Sequence, residues 1–228
     1  MRWKSALVAA VMLGCASPAF AQESAGRSLD EIAPEIDALF ARYQADQHIP
    51  GLVYGIVQDG KLVYLKGRGI QDVATGTPVD GDTLFRIASM TKAFTALAVL
   101  NLRDRGKLRL DDLAEDYVPE MKRWIYPTAD SPRIRVRDLL HHVAGFVTDD
   151  PWGDRQQILS QDDFTKMLTA GVPFTQAPQS RFEYSNFGYA LLGRIVANAS
   201  GMPYADYVRI TILRPLGMEA SGYDVTRA

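Results

Sequence analysis

Ser89 and Lys92 stand three residues apart, and this spacing could support nucleophilic catalysis. On a helix, residues three apart lie on the same face, so the hydroxyl and the amine could share a proton. A serine hydroxyl is a weak nucleophile until a nearby base accepts its proton, and a lysine can serve if burial or a neighbouring cation lowers its pKa. A helix-capping serine followed by a solvated lysine fits the same pattern, so a lone Ser-x-x-Lys does not identify an enzyme.

A second candidate pair, Tyr184 and Asn186, flanks Ser185 just ahead of a predicted helix. In an extended or turn conformation both side chains point the same way. A tyrosine there can relay a proton, and an asparagine amide can hold a lysine or a substrate carbonyl. The alternative is that Asn186 caps the helix beside a buried Tyr184.

Helices must position both pairs. The segment from Ser89 to Arg105 is apolar almost all round and is followed by Gly106, which predicts a buried helix with a glycine at its C-terminal end. Apolar spacing and stop signals predict shorter helices over residues 136–142, 161–169, 187–199 and 204–213. The middle of the chain is therefore expected to be mostly helical.

The chain is expected to begin with a helix and a β-hairpin. Ser28 and Glu31 form a capping-box pattern that predicts a helix over about residues 29–46. Two β-rich runs, 52–58 and 61–66, are joined by Asp59-Gly60, a strong hairpin signal. Residues 71–82 are rich in Gly, Thr, Asp and Pro, which predicts a loop that runs across the protein surface. Together these elements predict an α/β fold.

Residues 1–21 have the layout of a secretory signal peptide: two basic residues, a short apolar run, and Ala19-Phe20-Ala21 before Gln22. The apolar run is too short to span a membrane, so we expect an exported, periplasmic or secreted protein without a stable membrane span. Lipoprotein anchoring at Cys15 is a minor alternative. The formal net charge of −2 gives no sign of a basic nucleic-acid-binding surface.

Composition also restricts the chemistry. Cys15 is the only cysteine, so cleavage after Ala21 would leave no thiol for catalysis. The chain has three histidines, and nothing in their spacing favours a Ser-His-Asp triad. The same scarcity makes a zinc site improbable, and we expect neither a metal nor a cofactor.

The two motifs occur together in surroundings that resemble class C beta-lactamases, D-alanyl-D-alanine carboxypeptidases and related serine esterases. The matching segments are Leu84–Ala88, Gly106–Leu108, Leu110–Asp112, Phe182–Tyr189, Leu191–Gly193 and Pro215–Met218. The resemblance implies a beta-lactamase/transpeptidase-like fold with an N-terminal helix and β-hairpin plus a helical subdomain. It also implies a role for each of four residues: Ser89 attacks, Lys92 and Tyr184 remove and return its proton, and Asn186 orients Lys92 and the substrate. The Ser89 N–H would be one oxyanion donor.

Two further expectations rest on this resemblance. Residues 139–145 resemble the family segment Leu-Leu-Thr-His-Thr-Ser-Gly, with His142 on the matching histidine, and this segment is expected to be structural. The domain, residues 22–228, is expected to be incomplete at its C-terminus, without the strands that carry a third motif and a second oxyanion donor. The hairpin would then present an unpaired edge, and turnover would fall about a hundred-fold to a thousand-fold.

The sequence thus predicts a serine hydrolase that forms an acyl-enzyme on Ser89 with a small-molecule or peptide substrate. β-Lactams, D-Ala-D-Ala peptides and small esters all fit this chemistry. Two alternatives remain open: a catalytically silent binding or regulatory protein of the same fold, and a purely structural exported protein. Covalent labelling at Ser89 separates them.

Overall fold

The computed structural model describes residues 26–148 and 159–223. The chain divides into two compact units, Met1–Thr83 and Leu84–Ala228. The predicted signal peptide, residues 1–21, lies outside the described residues, and the assignment of residues 22–228 to one domain stays a prediction. Within the described ranges, no helix is both long enough and apolar enough to cross a membrane.

The first unit opens with helix α1, Leu29–Asp46, as predicted. The Ser28 hydroxyl accepts a hydrogen bond from the Glu31 N–H at 3.3 Å, and the Glu31 carboxylate accepts from the Ser28 N–H at 2.7 Å. This reciprocal capping box satisfies two main-chain donors that have no acceptor within the helix. The start of α1 is therefore set by local sequence.

The predicted hairpin is present as strands β1, Gly51–Gln58, and β2, Lys61–Asp72. Asp59 and Gly60 both have positive φ, as a tight two-residue hairpin turn requires. Strand β2 extends beyond the predicted end at residue 66 because residues 67–69 continue the pairing with β1, and Ile70 and Asp72 pair with a short strand, β3, Thr77–Pro78. The sheet order is β1-β2-β3, so within the described residues no strand pairs with the outer edge of β1.

An acidic side chain connects α1 to this sheet. Asp37 Oδ1 accepts hydrogen bonds from the hydroxyls of Tyr54 at 2.6 Å and Tyr64 at 2.5 Å, while Oδ2 pairs with Lys66. The hydrogen bond from Lys66, followed by those from the two tyrosines, lowers the pKa of Asp37 to about 2. Burial and the bond to Asp37 raise the pKa of Tyr54 to about 12. The network links α1 to both long strands.

The described residues of the second unit form helices joined by loops, with isolated β-bridges between Leu113 and Arg135 and between Phe146 and Phe174. Its α-helices are α2 (Thr91–Asp104), α3 (Ala114–Tyr117), α4 (Val136–Leu140), α5 (Gln161–Ala170), α6 (Asn186–Ser200) and α7 (Tyr204–Val208). Turns of 3₁₀-helix occupy Ala88–Met90, Pro119–Arg123 and Arg214–Leu216, and a π-helical turn occupies Arg209–Leu213. The prediction of a helical region following an N-terminal helix and hairpin is confirmed.

Helix α6 forms the centre of the second unit, with α2, α4 and α7 packed against it. Its buried side chains include Leu191, Leu192, Ile195 and Val196. The expectation of a buried helix holds for only one face of α2, because Ala98, Val99 and Leu102 are buried whereas Leu97 is 45% exposed. Helix α6 covers one face of α2, and an apolar sequence pattern does not reveal how many neighbours a helix has.

Candidate active site

Ser89 lies in a 3₁₀ turn at the start of α2, where its side chain is exposed. The preceding residue, Ala88, has a φ of +44°, in the left-handed region that residues with a Cβ adopt at a cost. This turn aims the Ser89 hydroxyl at Tyr184 and Lys92 rather than at a main-chain N–H. The alternative that Ser89 is a helix cap is therefore wrong, since no side chain caps this turn.

Lys92 lies in the first turn of α2 and is half-buried. Its Nζ donates to Ser89 Oγ at 3.1 Å, to Tyr184 Oη at 2.6 Å and to Asn186 Oδ1 at 2.5 Å. An ammonium group has three N–H donors, so these three acceptors account for all of them. The alternative of a solvated Lys92 is wrong.

Tyr184 and Asn186 reach the same lysine because the residue between them is extended. Ser185 has φ −141° and ψ 121°, which directs the side chains on both sides toward Lys92. Ser185, not Asn186, caps helix α6, since its Oγ accepts from the Gly188 N–H at 3.0 Å. The alternative of an N-cap at Asn186 is wrong, and Tyr184 is half-buried rather than fully buried.

Three polar atoms form a closed triangle at the centre of the site. Ser89 Oγ lies 2.6 Å from Tyr184 Oη, Tyr184 Oη lies 2.6 Å from Lys92 Nζ, and Lys92 Nζ lies 3.1 Å from Ser89 Oγ. For one of the two partners to act as a base, the Lys92–Tyr184 pair must hold one proton fewer than when both are fully protonated. Either the neutral amine or the phenolate then lies within hydrogen-bonding distance of the Ser89 proton.

The structure thus brings all four predicted site residues into one hydrogen-bonded constellation. Asn186 Oδ1 lies 2.5 Å from Lys92 Nζ and 3.3 Å from Tyr184 Oη. Such an amide oxygen restricts the positions that the lysine can take. The catalytic role of each residue, and the contact of Asn186 with a substrate, stay predictions.

His142 is a residue of the site that sequence reasoning missed. Its ring stacks on the Tyr184 ring with centroids 4.8 Å apart, and its Nδ1 accepts from the Ser185 N–H at 3.1 Å. His142 contacts the site through Tyr184 and Ser185. It belongs to residues 139–145, for which the sequence predicted only a structural role. No spacing signal could identify the contact, because it joins two loops 43 residues apart.

Tyr189 lies one turn into α6 and contacts the His142 ring. Its ring centroid is 5.0 Å from that of His142, and Lys92 Nζ lies 5.5 Å from the same ring. Burial, followed by the charge of Tyr184, raises the pKa of Tyr189. Its hydroxyl donates to the Leu140 carbonyl at 3.2 Å. Its ring packs against His142 and Lys92 at the site.

Comparison with known proteins gives one family match and several similar chains. The sequence model of the family described as Beta-lactamase matches residues 36–228. Protein flp of Staphylococcus aureus (strain COL) is 32% identical over an alignment of 209 residues that covers 88% of this chain. Esterase EstB of Burkholderia gladioli is 32% identical over an alignment of 210 residues that covers 86% of this chain.

A solved structure of a class C beta-lactamase is similar to this chain in its fold. It superposes with a TM-score of 0.72 at 28% sequence identity, covering 86% of this chain and 52% of that one. The chain spans 40% of the length of protein flp and 53% of the length of esterase EstB.

Proposed function

Because this chain belongs to the beta-lactamase family, as its sequence motifs predicted, we propose that it is a serine hydrolase that forms an acyl-enzyme on Ser89. The observation that carries the proposal is the triangle of Ser89 Oγ, Lys92 Nζ and Tyr184 Oη. It supplies a nucleophile, a base in contact with it and a cation beside that base. These are the parts that acyl transfer through a serine requires.

In the acylation step, Ser89 Oγ attacks the carbonyl carbon of the substrate and forms a C–O bond. The hydroxyl proton passes to Tyr184 Oη or Lys92 Nζ, both within hydrogen-bonding distance. The tetrahedral intermediate then collapses, the bond to the leaving group breaks, and the same pair returns the proton to that group. Ser89 is left as an ester.

In the deacylation step, a water molecule attacks the Ser89 ester carbonyl while Tyr184 and Lys92 again accept a proton. Breaking the ester bond releases a carboxylic acid, and the proton returns to Ser89 Oγ. Asn186 stays hydrogen-bonded to Lys92 through both steps. This bond keeps the Lys92 amine directed at Ser89 and Tyr184. The cycle needs no co-reactant other than water.

Negative charge develops on the carbonyl oxygen of the substrate in both steps. The Ser89 N–H lies at the start of a helix, where main-chain N–H groups have no intrahelical acceptor, so it is suited to donate to that oxygen. We propose the Ser89 N–H as one oxyanion donor. A single donor supports a slower reaction than a pair does, by about a hundred-fold to a thousand-fold.

Three substrate classes fit this chemistry: β-lactams, D-Ala-D-Ala peptides and small esters. One of the similar proteins is named an esterase and another a class C beta-lactamase, so ester and β-lactam are the first two classes to test. All three present a carbonyl with a leaving group, and the triangle acts on that common feature. The shape of the groove would decide among them.

The test is the intact mass of the purified chain after exposure to a penicillin, a D-Ala-D-Ala peptide and an activated ester, with peptide mapping. We expect an adduct on Ser89 that the Ser89→Ala variant does not form. A stable adduct with no release of product would instead favour the silent binding protein. If a folded chain formed no adduct with any of the three and released no product from them, the hydrolase proposal would be rejected.

We also propose that the protein is exported, on the strength of the pattern in residues 1–21. Expression in a bacterium, followed by N-terminal sequencing of the periplasmic fraction, tests this. A mature chain that begins at Gln22 is expected. An intact N-terminus in the cytoplasmic fraction would contradict export, and a lipid-modified Cys15 would contradict cleavage after Ala21.

A further inference from the structure

His142 contacts the loop that carries Tyr184 through three separate groups. Its ring stacks on that of Tyr184, with 4.8 Å between centroids and 29° between planes. Its Nδ1 accepts from the Ser185 N–H at 3.1 Å, and its carbonyl accepts from the Glu183 N–H at 2.8 Å. One residue therefore holds the main chain on both sides of Tyr184 and the ring of Tyr184 itself.

The backbone of His142 is held in a position that makes these contacts possible. It lies two residues beyond the last residue of α4 and has a φ of +58°, an uncommon conformation for a residue other than glycine. The Val143 carbonyl continues the pairing by accepting from the Gln179 N–H at 2.7 Å. Asp138, buried in α4, accepts a further hydrogen bond from the Gln179 side chain at 3.0 Å. The loop ahead of Tyr184 is thus braced by the end of α4.

The chemical state of the histidine ring follows from its hydrogen bond. A main-chain N–H can only donate, so Nδ1 must carry a lone pair and no proton. The Ser185 amide stands between Tyr184 and Asn186, the two side chains that hold Lys92. Rotation of this peptide would move both side chains away from Lys92 together.

We propose that His142 is a positioning residue for Tyr184 and Asn186, acting through its Nδ1 acceptor. The inference rests on the proposed function, because it assigns His142 a role in the rate of Ser89 acylation. His142 moves no proton in the reaction. It fixes the Tyr184 hydroxyl 2.6 Å from Ser89 Oγ, and a misplacement of about 1 Å can slow a reaction about 100-fold.

Two variants separate the acceptor from the ring. His142→Asn keeps an acceptor, because asparagine Oδ1 and histidine Nδ1 are both bonded to Cγ, and asparagine also tolerates a positive φ. His142→Phe keeps an aromatic ring against Tyr184 but has no acceptor for the Ser185 N–H. His141→Phe is the matched control, since His141 is the adjacent, exposed histidine.

The measurement is the single-turnover acylation of Ser89 by an activated ester, resolved into ester affinity and the acylation rate constant. We expect His142→Phe to lower the rate constant by up to about 100-fold with little change in affinity. We expect His142→Asn to retain most of the rate, and His141→Phe all of it. Wild-type rate in His142→Phe, or equal loss in both His142 variants, would overturn the proposal.

A second measurement needs neither activity nor a variant. ¹⁵N NMR of the three histidines should show one whose Nδ1 is unprotonated and coupled to a main-chain N–H. A protonated His142 Nδ1 in the folded protein at neutral pH would overturn the inference, even if His142→Phe failed to fold. If wild type formed no Ser89 adduct and released no product but the coupling was present, the hydrolase proposal alone would fail.

Discussion

The Tyr184 hydroxyl lies 2.6 Å from the Ser89 hydroxyl, although the two residues are 95 positions apart. The same Tyr184 oxygen accepts from Lys92 Nζ at 2.6 Å. A phenolate oxygen in this position can take the serine proton, and the neighbouring lysine ammonium stabilises the phenolate before that transfer. The arrangement makes Tyr184 the first residue to test after Ser89 itself.

Tyr184→Phe removes the hydroxyl and keeps the ring that packs on His142. We expect the rate of Ser89 acylation to fall by about 10²- to 10⁴-fold, because the loss of a general base costs that much. Stopped-flow acylation with an activated ester measures it. The control is Tyr207→Phe, which removes a hydroxyl that donates to Asn101 at 2.8 Å, and should cost about 1 kcal/mol of stability without slowing acylation. Full activity in Tyr184→Phe would leave Lys92 as the base.

Lys92→Met keeps an unbranched side chain but removes the amine that three acceptors share. We expect acylation to slow by at least about 10²-fold. The matched control is Lys166→Met on α5, where an exposed pair with Asp163 contributes at most about 1 kcal/mol to stability. Unchanged acylation in a folded Lys92→Met protein would contradict the proposed mechanism.

Lys92→Arg separates two possible roles of the lysine. Arginine keeps the positive charge but does not give up a proton at any pH at which the protein is folded. If Lys92 accepts the Ser89 proton, the arginine variant should be as slow as Lys92→Met in the same assay. Substantial activity in Lys92→Arg would show that the lysine acts only as a cation, with Tyr184 as the base.

Ala88→Val tests the left-handed residue that precedes the nucleophile. Ala88 has a φ of +44°, and a β-branched side chain is poorly compatible with that conformation. We expect a loss of about 1–2 kcal/mol in the free energy of unfolding and slower acylation, because Ser89 would be displaced. Ala93→Val, at an exposed position of α2, is the control and should cost no more than about 0.7 kcal/mol. Equal losses in both variants would argue against a special role for the turn.

Asp37→Asn tests the network that joins α1 to the hairpin. The ordinary pKa of this carboxyl is 3.8, and its partners lower it to about 2 in the folded protein. The ionised form therefore stabilises the fold fully above about pH 4, and this contribution is lost as the pH falls toward 2. We expect the stability difference between wild type and Asp37→Asn to be constant between about pH 5 and 8 and to shrink below about pH 4.

Urea unfolding across this pH range measures the effect. Asp46→Asn, at the exposed end of the same helix, is the matched control and should show little difference from wild type at any pH. A difference for Asp37→Asn that does not change with pH would mean that the network owes its stability to the neutral hydrogen bonds from Tyr54 and Tyr64.

Local sequence was sufficient wherever a few neighbouring residues determine the structure. Ser28 and Glu31 marked the start of α1, and Asp59-Gly60 marked the turn of the hairpin, because each signal is complete within four residues. The proximity of Ser89 and Lys92 is local in the same sense, since three residues make about one helical turn. The predicted burial of α2 holds for one face only, because burial depends on which other helices pack against it.

By itself the sequence determined the hairpin and the longer helices, α1, α2, α5 and α6, and it identified Ser89, Lys92, Tyr184 and Asn186 as candidate residues through two short motifs and a family resemblance. Only the tertiary structure placed the Tyr184 hydroxyl between Ser89 and Lys92 and brought His142 against the peptide that holds Tyr184. The physical reason is the range of the interactions. Caps, turns and helix faces depend on neighbours in sequence, whereas these contacts form only after α4, α2 and α6 have packed around a shared core.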